Sequence, residues 1–167
     1  VYLVQDQMLQ GQEMALKLIS PALVKDPAAH ERFVQEARAA QGLTHENIVR
    51  VYHFDRVGDQ DFFTMEYLPG KSLRALMEER KQAGRLFSLE EAAALIRPIL
   101  SAIANAHAKE VIHRDLKPEN VIISGELPDV SVKVLDFGLA KVMSPSRLTS
   151  SAVAMGTAYY MAPEQLS

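Results

Sequence analysis

The stretch Ile112-His113-Arg114-Asp115-Leu116-Lys117-Pro118-Glu119-Asn120, followed by Leu135-Asp136-Phe137-Gly138, decides how the chain is read. It sets two acids, an amide and a lysine among apolar residues. Asp115 and Asn120 are five positions apart, and Asp136 follows sixteen later. Phosphoryl transfer needs such a set: an acid to orient a hydroxyl, and hard oxygen donors to hold Mg²⁺ against phosphates.

Composition narrows the surroundings. Apolar residues make up 48% of the 167 and charged residues 23%, a balance that describes a globular chain and excludes a disordered one. A net charge of −3 gives no basic footprint for nucleic acid. With no cysteine, disulfides, thiol catalysis and cysteine zinc sites are excluded. The histidines His30, His45, His53, His107 and His113 show no tight ligand spacing. No apolar run approaches the ~20 residues of a membrane helix. The chain opens on Val1 without a signal peptide.

Working outward, Val1–Val4 has β character and Gln5–Gln12 is a polar turn around Gly11. Glu13–Ile19 reads as a strand whose alternation puts Ala15, Lys17 and Ile19 on one face. A lone lysine there usually reaches solvent from an edge strand; the functional alternative is a phosphate-binding lysine. Asp26-Pro27 reads as a helix start, with the helix running to Gln41 and stopping at Gly42. Phe33, Ala37 and Ala40 form its inward stripe. Glu36 lies beside that stripe and needs a partner, with Arg32 and Lys17 equally eligible on helix geometry.

Ile48–Arg56 and Asp61–Tyr67 read as a hairpin turning at Gly58-Asp59. Pro69-Gly70 is the best internal boundary. Beyond it Ser72 caps a helix through Ala83, closed by Gly84. Ser88 and Glu91 form a capping box for a further helix. That helix carries Leu95, Ile99 and Ile103, with Ile96, Leu100 and His107 alongside, and is expected to be central and buried. Pro98 inside it is expected to kink it. Val121–Ser124 and Ser131–Leu135 form a second hairpin around a Gly125–Pro128 turn. Residues 139–155 are rich in Ser and Thr and read as a mobile loop.

Taken together, Met14-Ala15-Leu16-Lys17, Glu36, Thr64-Met65-Glu66-Tyr67, the 113–120 loop, Asp136-Phe137-Gly138 and Ala162-Pro163-Glu164 resemble the eukaryotic-type serine/threonine protein kinase catalytic domain. The order and spacing of the set carry the weight, and the sequence most resembles the bacterial branch. The resemblance implies an α+β, bilobal fold, with a small β-rich lobe carrying one helix and a partial helical lobe. It implies ATP and Mg²⁺ as cofactors and a protein bearing Ser/Thr hydroxyls as substrate. By position, Lys17 is then the lysine on the α- and β-phosphates, held by Glu36. Asp115 is the catalytic base and Lys117 the γ-phosphate contact. Asn120 and Asp136 are the metal ligands. Leu116-Lys117-Pro118-Glu119 and Thr157 favour serine/threonine over tyrosine.

Around the nucleotide, Met65 resembles the gatekeeper, and backbone groups of Glu66 and Leu68 take the adenine edge. Ala15, Ile122 and Val1 sandwich the base. His113, Phe137, Ala40 and Val51 resemble an apolar column joining the lobes. Arg114 before Asp115 implies control by loop phosphorylation, with Thr149 and Ser151 as the expected sites. No Gly-x-Gly precedes Val1, and the chain stops three residues after Glu164. The expectation is therefore a domain truncated at both ends. Residues 1–68 are a partial small lobe and hinge without its glycine-rich loop; residues 69–167 are a partial large lobe without its later helices. Such a segment alone is expected to be weak or inactive, and Leu95, Ile99, Leu100 and Ile103 to lose part of their cover. Cytoplasmic chemistry is expected, with any membrane anchor of the parent outside this segment. The alternative is a pseudokinase or non-catalytic interaction module. An aminoglycoside-type small-molecule kinase fits less well, because such enzymes normally lack Asp-Phe-Gly and Ala-Pro-Glu.

Overall fold

A computed structural model describes residues 1–7, 11–19, 27–137 and 159–161, without the side chains at 27–29, 32, 33 and 36. The expectations for Asp26, the Phe33 packing, the 139–155 loop and the Ala162-Pro163-Glu164 ending lie outside the described residues.

Strands β1 (Tyr2–Asp6), β2 (Gln12–Leu18), β3 (Val51–Val57) and β4 (Gln60–Glu66) form one antiparallel sheet in the order β1-β2-β4-β3. Lys17 therefore belongs to an inner strand, paired with Phe63, and not to an edge. Gly58 supplies the positive φ that the tight β3–β4 turn requires. Helix α1 (Pro27–Gln41) covers the sheet and ends at Gly42, as the sequence predicts. A register shift between Val51 and His53 bulges β3 at Tyr52, whose carbonyl accepts the Gln41 amide from the end of α1 at 3.2 Å. The core between helix and sheet is Ala15, Ile19, Ala37, Val49, Phe63 and Met65.

The second lobe starts with the short β5 (Lys71–Ser72) and α2 (Leu73–Gln82), then α3 (Leu89–His107). Ser72 accepts from Ala75 N–H, and Gly84 adopts a positive φ past the last turn of α2. Both halves of the Ser88–Glu91 capping box form. α3 buries Leu95, Ile99, Ala102 and Ala106, a single stripe at helical spacing. The stripe packs on Val121, Ile123, Val132 and Val134 of β6 (Val121–Glu126) and β7 (Asp129–Val134), where alternation turns these residues inward. Each buried Leu, Ile or Val among these removes apolar area worth about 1.5–3 kcal/mol.

Three expectations need correction. α3 is not buried around a broad circumference: Ile96 is 50% exposed and Leu100 61%, the latter in line with the loss of cover expected for it, whereas Leu95 and Ile99, expected to lose cover as well, are buried among the described residues. The strand expected from Ile48 starts at Val51. Ile48 instead makes a lone parallel bridge to Val134, and Val49 N–H donates to the Val134 carbonyl at 3.0 Å. The second hairpin turns more tightly than expected, at Leu127-Pro128, where the peptide bond is cis. The helix assignment of α3 runs unbroken through Pro98.

The lobes are stitched by these backbone contacts. Val134 N–H donates to the Asn47 carbonyl at 2.9 Å, and the Asn47 amide donates to the Val132 carbonyl at 3.0 Å. One β7 segment is thus shared between the lobe it belongs to and the loop that follows α1.

Candidate active site

Lys17 leaves the inner face of β2 beside Ala15 and Ile19, at the cleft between the lobes. Its Nζ lies 2.5 Å from Asp136 Oδ2 and 5.7 Å from the centre of the Phe63 ring. Glu36 lies on α1, but its side chain is outside the described residues, so its expected pairing with Lys17 has no described geometry.

The 113–120 loop leads into a 3-10 turn at Pro118–Asn120. Its fold is held from within. The Asn120 side-chain amide donates to the Asp115 carbonyl at 2.9 Å and to Asp115 Oδ2 at 3.1 Å. Lys117 Nζ lies 2.7 Å from the same Oδ2. Both side-chain partners thus converge on one oxygen of Asp115. Leu135 N–H donates to the Asn120 carbonyl at 2.8 Å, tying this loop to the residues before Asp136.

His113 binds the two loops a second time. Its Nε2–H donates to the Leu135 carbonyl at 2.8 Å, and its Nδ1 accepts the Asp115 N–H at 3.3 Å. That arrangement fits a neutral ring. Burial holds the imidazole below its ordinary pKa, outweighing the Leu135 carbonyl and the nearby Asp115 and Asp136 carboxylates that act the other way. The ring stacks at 4.7 Å on Phe137, at a tilt of 57°. Phe137, Ala40, Val51 and Met65 line one small cavity between the lobes, so the expected column and gatekeeper positions do come together.

Asp136 sits at φ +58, in the left-handed region that non-glycine residues seldom occupy. Its Oδ2 faces Lys17, while its Oδ1 is buried with no hydrogen-bond partner among the described residues. A buried, unpartnered carboxylate oxygen is costly unless a cation completes it. With the Asn120 NH₂ committed to Asp115, that side chain's oxygen faces away from Asp115. Asn120 and Asp136 therefore offer the hard oxygen donors that Mg²⁺ takes, with phosphates and water supplying the rest. The donor set fits the implied metal.

The remaining expected residues are placed less tightly. Ile122 is half-buried, and Leu68 packs against the small-lobe core. Glu66 ends β4. Val1 is 75% exposed, one residue ahead of Tyr2, which pairs with Leu16. Gly138, Thr149, Ser151 and Thr157 lie outside the described residues. Sequence reasoning missed Phe63, whose ring flanks Lys17. The period-2 alternation of Asp61–Tyr67 was the available signal that Phe63 faces inward; its pairing opposite Lys17 appears only in the register.

Comparison with known proteins agrees. Residues 1–167 match the protein kinase domain family. The serine/threonine-protein kinase PknL of Mycobacterium tuberculosis is 37% identical over 153 residues, covering 92% of this chain and 37% of PknL. The serine/threonine-protein kinase PrkC of Bacillus subtilis is 34% identical over 165 residues, covering 99% of this chain and 24% of PrkC. The chain thus spans about a quarter to two fifths of these relatives' length. The crystal structure of the Mycobacterium tuberculosis PknI kinase domain superposes with a TM-score of 0.71 at 30% identity, covering 83% of this chain and 54% of that one. The fold, the ordered motifs and these relatives agree: the chain belongs to the protein kinase domain family, in its bacterial serine/threonine branch.

Proposed function

We propose that the protein containing this domain transfers the γ-phosphoryl group of Mg-ATP to serine or threonine hydroxyls of protein substrates, in the cytoplasm. What supports this reading is that Asp136, paired with Lys17, and the Asp115–Lys117–Asn120 cluster lie on two loops tied together by the Leu135 N–H to Asn120 carbonyl bond. Bound Mg²⁺ would neutralise phosphate charge from Asn120 and Asp136. Lys17 meets the phosphates as a point charge on a flexible stem. Met65, Ala15 and Ile122, with the backbone of Glu66 and Leu68 and with Val1, surround the base. Lys117 and Asn120 hold one oxygen of Asp115, which leaves Oδ1 to orient the substrate hydroxyl and take its proton as that oxygen attacks the γ-phosphorus, while the bond from phosphorus to the bridging oxygen breaks and ADP leaves.

Among the described residues no helix is long and apolar enough to cross a membrane. Regulation by phosphorylation at Thr149 and Ser151, read through Arg114, belongs to the same proposal. The test is phosphoryl transfer by the full-length protein from labelled Mg-ATP, with phosphopeptide mapping. Asp115→Asn is expected to lower turnover roughly 10²–10⁴-fold while ATP binding persists. Equal turnover in the variant would return the pseudokinase reading, and unmodified 144–151 peptides would remove the regulatory part.

A further inference from the structure

One ion pair between side chains that have no assigned role crosses between the lobes. Lys133 Nζ on β7 lies 2.8 Å from Glu66 Oε2 at the end of β4, and both side chains are largely covered, at 21% and 28% exposure. Lys133 stands directly opposite Ile122 in the β6–β7 register. Opposed residues of an antiparallel pair project from the same face. Lys133 therefore rises beside the side chain expected beneath the adenine and reaches the residue at which the connection between the lobes begins.

The far end of that connection is fixed to the same hairpin. The Ser124 hydroxyl donates to the Pro69 carbonyl. Gly70 lies so close to β6 that a Cβ there would collide with the Ile123 carbonyl oxygen, so only glycine allows the approach. At the near end Glu66 N–H donates to the Arg50 carbonyl at 2.9 Å, and Glu66 Oε2 also faces Arg50 N–H at 3.4 Å. Segment 66–70 is thus held at both ends, and Lys133 supplies the charged hold at its first residue.

We infer that Lys133 is a positioning residue for nucleotide binding. By holding the Glu66 carboxylate it sets the height of the Glu66 and Leu68 backbone above Ile122, and so the width of the adenine slot. It touches neither phosphate nor metal. The inference rests on the nucleotide site proposed above. An exposed pair would contribute little. This one is largely covered and joins groups 67 residues apart in sequence, so it constrains one lobe against the other.

The test measures ATP and ADP dissociation constants and steady-state kinetics on the full-length protein, for wild type, Lys133→Met, Lys133→Arg, Glu66→Gln and the exchange Lys133→Glu/Glu66→Lys. Lys133→Met is expected to weaken ATP and ADP alike by roughly threefold to tenfold, raising KM for ATP with kcat within about twofold. Lys133→Arg and the charge exchange are expected to recover most of the loss. Glu66→Gln, which leaves the backbone that meets the adenine edge in place, should weaken ATP and ADP by a similar factor from the other side, and serves as the affinity probe if Lys133→Met does not fold. Unchanged nucleotide affinity in the foldable variants overturns the inference and leaves the kinase reading standing. A fall in kcat that tracks melting temperature, without a KM split, also overturns it. Failure of the wild type to bind Mg-ATP removes the nucleotide site and this inference together.

Discussion

Lys17 Nζ and Asp136 Oδ2 are in direct contact at 2.5 Å, so the ammonium expected on phosphate and the carboxylate expected on metal neutralise each other across the cleft. Mg-ATP carries a matching pair of charges. On the proposed nucleotide site, phosphate oxygens would take the lysine while the cation takes the aspartate, and Asp136 Oδ1, which has no hydrogen-bond partner among the described residues, would gain one. The exchange needs metal and nucleotide together.

Thermal melting should show this. At a free Mg-ATP concentration about 100 times Kd, linkage contributes about 2.7 kcal/mol, or roughly 5–10 °C for a domain of this size. ATP with EDTA should give a much smaller rise. Asp136→Asn should erase the difference between the two conditions. An equal rise with and without metal in the wild type would contradict the assignment.

His113 predicts an acid-sensitive contribution to stability. Burial lowers its pKa in the folded chain relative to the ordinary 6.5. Below about pH 6.5 the unfolded chain therefore binds a proton that the folded chain does not. The contribution is complete above that pH and declines as pH falls, with a slope of at most about 1.4 kcal/mol per pH unit for one proton. Urea titrations between pH 7.5 and 5 should show a shallower slope for His113→Phe than for wild type. Identical slopes would mean that the ring is not the titrating group.

Asp61 is the most deeply buried acid described. Its carboxylate meets Arg56 Nε at 2.5 Å, Arg56 Nη2 at 2.9 Å and His30 Nε2 at 2.7 Å, joining α1 to both strands of the β3–β4 hairpin. The Arg56 hydrogen bonds, and then His30, hold its pKa below the ordinary value despite burial. A lowered carboxylate contributes stability above the unfolded pKa near 4 and loses it as pH falls through the folded value. Asp61→Asn should destabilise by about 1.5–3 kcal/mol at neutral pH, measured by denaturant midpoint, and flatten the acid limb below pH 4. A change under 0.5 kcal/mol, the scale of an ordinary surface substitution, would show that the cluster is not stabilising.

The start of α3 offers a local test. Ser88→Ala should cost about 1 kcal/mol, because Glu91 N–H loses its acceptor at 3.1 Å. Glu91 should keep its carboxyl lowered in that variant. The largest cause is the Ser88 backbone N–H, at 2.9 Å, and Arg80 follows. NMR titration of the Glu91 carboxyl reads this directly, and a return to the ordinary glutamate range would show that the cap acts as one unit.

What was legible in the sequence was mostly local. Ser72, Ser88 and Glu91 act within one turn of their helices, so residue type and spacing sufficed. The same holds for Gly42 after α1 and for the face shared by Ala15, Lys17 and Ile19. The order of motifs also singled out the residues proposed for the cleft. Contacts between distant segments were not legible. Lys17 to Asp136 spans 119 positions and Lys133 to Glu66 spans 67, and nothing in either neighbourhood names the partner. Asp61 reads as a polar strand start; its burial depends on α1 bringing His30 over it. Ile96 erred the other way, since an apolar residue reports a capacity for burial and not the presence of a covering neighbour.

Val134 pairs with Val121 inside its own sheet and, along the same backbone, with the Asn47–Val49 loop of the other lobe. Unfolding either side strips these hydrogen bonds from the other. This shared pairing couples the two halves beyond what a hinge would supply, and a single heat-absorption peak in calorimetry is the expected outcome.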